Sequence, residues 1–140
     1  MFGYSNKAHD GYLGDSVIGE WCNLGAGTSN SNVMNTAGDV KVWDNMLKTF
    51  LPVGLKCGLL MGDYSRSAIN TSFNTGTVVG ISCNIFGNGF PPKHMANFTW
   101  GTERYTFEKL LKDIGNWKKL KGHQLFEEER AMLEQLYFNN

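Results

Sequence analysis

Chemistry in this 140-residue chain would fall to a few side chains near its start. His9 stands three residues before the run Tyr12-Leu13-Gly14-Asp15, and Asn23 opens the run Asn23-Leu24-Gly25-Ala26-Gly27-Thr28, with Asn32 beyond it. An imidazole is a suitable general base near neutral pH. Asparagine amides can orient a polar substrate or donate to a developing oxyanion. Each residue also has a plainer reading. His9 could be an exposed or structurally hydrogen-bonded histidine at a chain corner, Tyr12 a core residue, and Asn23 and Asn32 amides that satisfy turns and ladders. Gly25-Ala26-Gly27-Thr28 resembles a phosphate cradle only superficially, because no Lys-Ser/Thr pair and no helix follow it. A zinc site built from three histidines needs them to converge. His94 and His123 fall outside the regular repeat, so no metal is expected. Lys93, after Pro91-Pro92, reads as a solvated lysine, and Lys112, Lys118, Lys119 and Lys121 read as the wet face of a helix.

The elements that must position these residues show in a six-residue rhythm. Ile18-Gly19 and Leu24-Gly25 are six apart, and each aliphatic is followed four residues later by a small side chain, Cys22 and Thr28. A second block sets Leu55, Met61, Ser67, Phe73, Val79 and Ile85 at the same spacing, with Ser65, Thr71, Thr77 and Cys83 in the small slot. This period fits neither a helix nor a simple strand and is a signature of stacked β-helix coils, with one residue per short strand pointing inward. Leu13-Gly14 is five residues before Ile18-Gly19, so either Tyr12 takes the inward slot or the coil is irregular there.

Between the blocks, residues 29–52 break the rhythm. Asn30, Ser31, Asn32, Asn35 and Gly38 supply turn chemistry. Val40 to Trp43 alternates, Asp44-Asn45 suggests a turn, and Thr49-Phe50-Leu51 returns as a paired strand. A loop and hairpin extruded from the stack is expected. Gly87-Asn88-Gly89 and Pro91-Pro92 should end the coils, giving a repeat domain over 1–92 and a helical extension over 93–140. In that extension Phe107, Leu110, Leu111, Ile114 and Trp117 share one face, Thr106 can cap the start and Gly122 can end it. A second amphipathic segment carries Phe126, Leu133, Leu136 and Tyr137, with Glu127, Glu128 and Glu129 at its N-terminus. These helices should pack on the outside or an end of the stack. The fold class is mainly β: a parallel β-helix of few coils, an extruded hairpin and a C-terminal α-helical tail.

Thirteen Lys and Arg balance thirteen Asp and Glu, which argues for neither a nucleic-acid nor a membrane-surface partner. No apolar run approaches membrane-spanning length. The three cysteines are odd in number and two occupy the small slot, so buried, reduced thiols in a cytoplasmic protein are expected. So short a stack has little interior, and the chain reads as the C-terminal portion of something longer.

The segment from Ser5 to Thr28, with Asn32, resembles the acyltransferase domain of the bifunctional enzyme that acetylates glucosamine-1-phosphate and then uridylylates the product. The family pattern has a His three residues before Tyr-Leu-Gly-Asp and then an Asn-aliphatic-Gly-Ala-Gly-Thr run, and both stand here at unbroken spacing. The stretch Tyr4 to Gly11 is similar to sugar-phosphate nucleotidyltransferase-like variants of that family. The resemblance is specific over about residues 5–32 and general, at the level of the repeat, over 53–86. It implies left-handed coils, a homotrimer, acetyl-CoA as acyl donor and a sugar-phosphate substrate. It also implies His9 as the catalytic base, with Tyr12, Asn23 and Asn32 contacting substrate. Three departures stand beside it. Val33 occupies a position where the family prefers tyrosine, the loop to Leu51 is longer, and the family's phosphate-binding basic residue would lie before Met1. The leading expectation is coenzyme A-dependent acetyl transfer to an amino-sugar 1-phosphate. The alternative is a non-catalytic module that trimerises or regulates a sugar-1-phosphate nucleotidyltransferase.

Overall fold

A computed structural model describes residues 1–139. The strands are two-residue rungs of a left-handed parallel β-helix. The first full coil is β1 (Val17–Ile18), β2 (Asn23–Leu24) and β3 (Ser29–Asn30), one rung on each face of a three-sided prism. A hairpin follows, β4 (Lys41–Asp44) with β5 (Thr49–Pro52). The next coil is β6 (Leu60–Met61), β7 (Arg66–Ser67) and β8 (Ser72–Phe73), then β9 (Val78–Val79) and β10 (Asn84–Ile85), and finally β11 (His94–Met95) and β12 (Thr99–Trp100). Strand β13 (Glu103–Arg104) folds back antiparallel on β12. Helices α1 (Phe107–Leu120) and α2 (Glu127–Phe138) close the chain. The parallel order β1-β6-β9-β11 makes the first face, and β2-β7-β10-β12 the second. Among the described residues the third face has only β3 and β8, flanked by Tyr12, whose carbonyl accepts from Asn30 N at 3.0 Å.

The interior is filled by the residue predicted at each rung: Ile18, Leu24, Met61, Phe73, Val79 and Ile85 are buried in one cluster, and Ser67 is buried with them. Two assignments change. Leu55 is exposed, because the chain there is still returning from the hairpin, and the buried run restarts at Leu59. Asn30, predicted as a turn residue, points inward. Its Oδ1 accepts from Gly14 N at 2.9 Å and its Nδ2 donates to Gly14 O at 3.0 Å, so a polar side chain is satisfied inside the prism. The coils also continue beyond Pro92: β11 pairs with β9 and β12 with β10, and the Gly87–Pro92 segment is a loop within the stack.

The small slots have a physical reason. At the corner between the first two faces, each small side chain donates to a carbonyl of the next coil. Ser5 Oγ reaches Gly19 O (2.6 Å), Cys22 Sγ reaches Gly62 O (3.2 Å), Ser65 Oγ reaches Gly80 O (2.7 Å) and Cys83 Sγ reaches Ala96 O (3.1 Å). Where a glycine follows the inward residue, as at Gly19, Gly25, Gly62 and Gly80, the next coil passes too close for a side chain. A Cβ on Gly62 would lie 2.8 Å from the Gly80 backbone. All three cysteines are free, with Cys22 and Cys83 buried and Cys57 half-buried.

This ladder makes alkaline sensitivity a testable property. Burial, above all, pushes the Cys22 thiol up from 9.0 to about 11, and Cys83 moves the same way for the same first cause. A pKa raised by folding means that the native state holds its proton longer than the unfolded chain. The associated stability is therefore complete below about pH 9 and is lost as pH rises through about 11. Urea midpoints should fall across that window, and Cys22→Ser should shift the fall to higher pH. An unchanged midpoint would contradict the ladder.

The helices pack along the outside of the prism rather than on its end. The first-to-second-face corner carries aromatic residues in left-handed backbone conformation, Tyr4 (φ 56), Trp21 (φ 57), Tyr64 (φ 61) and Phe98 (φ 61). Trp21, Tyr64 and Phe98 form a second core with Phe107, Leu110, Ile114 and Leu133. Fourteen residues at about 1.5 Å each make α1 about 21 Å long, close to the roughly 19 Å spanned by five stacked rungs. Its last turn accordingly reaches the first rung, where Lys121 Nζ donates to Tyr4 O at 2.5 Å. Lys118 is not on a wet face. It is buried, 2.8 Å from Glu129, which also accepts from the Tyr64 hydroxyl, and it lies over the Trp21 ring. Thr106 occupies the cap position of α1 without a side-chain hydrogen bond, and Gly122 adopts positive φ just past its end. Phe126 is exposed, whereas Leu133, Leu136 and Tyr137 pack as predicted.

The hairpin forms as its alternation predicts, in the register Lys41 to Pro52 through Asp44 to Thr49. Asp44 Oδ1 closes its turn by accepting from Met46 N (2.8 Å) and Leu47 N (2.7 Å). It then folds back over the lower coils. Val40 is fully buried, Trp43 stacks on His94 at 4.5 Å, and Lys93 Nζ donates to Lys41 O at 3.0 Å. Lys93 is thus a clasp on the hairpin, and His94 belongs to a rung. Among the described residues no helix is long and apolar enough to cross a membrane.

Candidate functional site

The loop bearing His9 leaves the prism at the corner between the second and third faces. Asn6 holds its start on the second face through a parallel bridge to Asn23. Lys7 then folds its ammonium under the loop and donates to three carbonyls, His9 O (3.3 Å), Asp10 O (2.6 Å) and Gly11 O (2.9 Å). Gly11 (φ 107) brings the chain back so tightly that a Cβ would lie 2.1 Å from Thr28 O. Tyr12 rejoins the third face, its N–H donating to Ser29 Oγ at 3.1 Å. The result is an exposed imidazole on a loop fixed by one cation.

Tyr12 does not take the inward slot. It is 55% exposed, and Leu13 packs against the core instead. The Tyr12 ring folds over Gly14, and its hydroxyl accepts from Asn32 Nδ2 at 3.0 Å. The same amide donates to Asp15 Oδ2 at 2.5 Å. Tyr12, Asn32 and Asp15 are therefore one cluster, two residues past β3. Asn23 lies apart on the second face, where its Oδ1 accepts from Asn6 Nδ2 at 3.3 Å. Among the described residues no hydrogen bond joins Asn23 to Tyr12, His9 or Asn32.

Below the His9 loop the same corner opens into a groove of about 440 Å³. It is lined by Ile69, Asn70 and Ser72 from one coil and by Gly87, Asn88, Gly89 and Phe90 from the next. Ile69 and Phe90 are each more than 60% exposed on it. The corner is continuous, since Gly11 abuts Thr28 and a Cβ on Gly27 would strike the Asn70 side chain. Reasoning from sequence singled out neither Lys7 nor Asp15. The clue for Lys7 was a lone cation two residues from His9 with no acid beside it. Asp15 was visible only as part of the motif. Among the described residues no three His, Cys, Asp or Glu side chains converge as a metal site would require.

Short parallel rungs on three faces, with small slots at the corners, define a hexapeptide-repeat β-helix protein. The chain is 39% identical over 104 residues to the bifunctional protein GlmU of Methanocaldococcus jannaschii, a match covering 73% of this chain and 25% of that protein. It is 32% identical over 84 residues to the bifunctional protein GlmU of Methanococcus aeolicus, covering 60% of this chain and 20% of that one. No protein-family model matches the chain. Both similarities fall in the C-terminal part of the archaeal proteins, so the chain is a homologue of the C-terminal region of bifunctional GlmU. It spans about a quarter or less of the length of these curated relatives.

Proposed function

We propose that the chain carries the acyltransferase function of a GlmU-like protein: transfer of an acetyl group from acetyl-CoA to the amine of an amino-sugar 1-phosphate, in a cytoplasmic homotrimer. The observation that carries this is the exposed His9 imidazole, fixed by Lys7 on the corner whose next coils form the open groove. Acetyl-CoA supplies the activated thioester. His9 takes the proton from the attacking amine as the carbon–nitrogen bond forms, and coenzyme A departs as the thiol once it regains a proton. Tyr12 and Asn32 offer a hydroxyl and an amide for orienting the sugar phosphate.

The groove fits the amide-and-alkyl arm of coenzyme A, with Ile69 and Phe90 as apolar walls and Asn70 and Asn88 as polar ones. No Lys or Arg is among its lining residues, so the pyrophosphate must find its cation elsewhere. Asn23 stands on the second face, bonded to Asn6, and makes no hydrogen bond to the Tyr12–Asn32 pair. Both facts favour a site completed by a neighbouring protomer. One observation supports the second reading, a non-catalytic trimerisation or regulatory module. Tyr12, Asn32 and Asp15 already satisfy one another, as a purely structural cluster would.

The test is coenzyme A release by the purified chain given acetyl-CoA and glucosamine-1-phosphate, with the molecular mass measured in parallel. Turnover by a trimer is expected. A well-folded trimer that neither turns over nor binds acetyl-CoA would move the assignment to the module.

A further inference from the structure

The extruded hairpin leaves a pocket of about 250 Å³ where its turn meets the first face of the prism. Asn45 and Lys48 of that turn line it on one side, and Val78, His94, Ala96 and Asn97 of the coils on the other. His94 is the register partner of Val78, while their neighbours Met95 and Val79 point into the core, so His94 and Val78 stand side by side on the outer surface. The Trp43 ring stacks on one face of the imidazole at 4.5 Å. Among the described residues neither imidazole nitrogen has a hydrogen-bond partner, and both keep accessible surface.

The polarity left over around this pocket has one sign. Asn45 Oδ1 already accepts from Trp43 Nε1 at 3.0 Å, and Asn97 Oδ1 accepts from Ile81 N at 2.9 Å. The Lys48 ammonium has no hydrogen-bond or ion-pair partner among the described residues, and no acid lines the pocket. Burial first, and the Lys48 charge next, hold the His94 imidazole below its usual range, which places that charge within reach of the ring. The imidazole is therefore neutral near pH 7 and can donate from one nitrogen. A cation and a neutral donor with no acid beside them suit an oxyanion, and a single cation balances a monoanion better than a dianion. The volume corresponds to roughly eight waters at about 30 Å³ each, room for a carboxylate and a short carbon body.

We propose that this pocket binds a short aliphatic carboxylate, its oxygens shared between the Lys48 ammonium and His94 and its carbon body lying on Val78 and Ala96. The His9 loop leaves the prism at a different corner, between the second and third faces, so the site stands independently of the acyl-transfer reading. Lys48 belongs to the hairpin and His94 to a rung, so a bound carboxylate ties the hairpin turn to the coils.

The test uses the three histidines of the chain, His9, His94 and His123, as separate reporters in imidazole NMR spectra. Butyrate titrated into the full chain near neutral pH should move the His94 signals saturably and leave those of His9 and His123 in place. Acetate, with a shorter carbon body, should bind about tenfold more weakly. Inorganic phosphate should also bind more weakly than butyrate, and neutral butyramide should leave the signals unmoved. Lys48→Met removes the cation from a side chain with no partner in the fold and should weaken butyrate about tenfold or more. Asn45→Asp keeps an acceptor for Trp43 while placing a negative charge at the rim, and it should weaken butyrate as well. The proposal is overturned if His94 shows no saturable movement with butyrate, if butyramide acts like butyrate, or if phosphate binds more tightly than butyrate. Butyrate binding unaffected by both substitutions overturns it too. The first three results need only the unmodified chain, so they stand whatever the variants do to folding.

Discussion

Phe73→Ala is expected to remove about 3–5 kcal/mol of stability, a large share of the roughly 5–15 kcal/mol that holds a typical domain folded. The reason lies in the coil that contains it. Its three inward residues are Met61, Ser67 and Phe73, and because Ser67 is small and tied to Thr28 Oγ1 at 3.0 Å, the ring supplies much of the filling of that coil. The third face cannot close over an empty position, because it has only β3 and β8. On one side its inward residue is the polar Asn30. On the other the chain has left the prism for the Gly87–Phe90 loop. Phe73, 1% exposed, therefore fills space that no neighbouring rung can take up. The urea midpoint should drop with little change in slope, whereas Ile69→Ala on the exposed corner should stay within about 0.5 kcal/mol. A Phe73→Ala loss below about 1 kcal/mol would mean that the coil collapses around the gap.

The interior was legible in the sequence because a six-residue period admits one apolar residue per rung. Ile18, Leu24, Met61, Phe73, Val79 and Ile85 all fall where that period puts them. Asn30 was misread because inward polarity looks like turn chemistry until Gly14 is seen to satisfy it. Leu55 was misread for the opposite reason, an aliphatic at the right spacing on a chain not yet back in the stack. The last rungs were missed because the loop ending at Pro92 and the five-residue step from His94 to Thr99 hide the period. For the helices, amphipathicity gave their existence but not their seat. That depended on Trp21, Tyr64 and Phe98 meeting at one corner, thirty-four or more residues apart in sequence. Arg66 lay beyond sequence reasoning altogether, since its burial exists only once α1 crosses it. Of the candidate site, the motif marked His9, Tyr12 and Asn32. The clamp on the His9 loop exists only in the folded chain, where Lys7 reaches the carbonyls of His9 and Asp10.

If the corner is an acyl-transfer site, His9→Ala should reduce the rate of coenzyme A release about 10²- to 10⁴-fold, the range typical of removing a positioned general base. Stability should hardly change, because the side chain is exposed and the loop is held through backbone carbonyls rather than through the ring. Added imidazole should restore part of the lost rate in His9→Ala, a response that a structural histidine would not give. Lys7 acts through His9 and separates the two ideas further. Lys7→Met frees the carbonyls of His9, Asp10 and Gly11 together, so the imidazole remains but its placement loosens. A displacement of about 1 Å at a catalytic group can cost on the order of 100-fold. The loss in Lys7→Met should therefore appear in kcat more than in KM, should not respond to imidazole, and should be partly recovered by Lys7→Arg. Were both variants to turn over like the unmodified chain, the corner would be a fold element and the base would have to be sought in a neighbouring protomer.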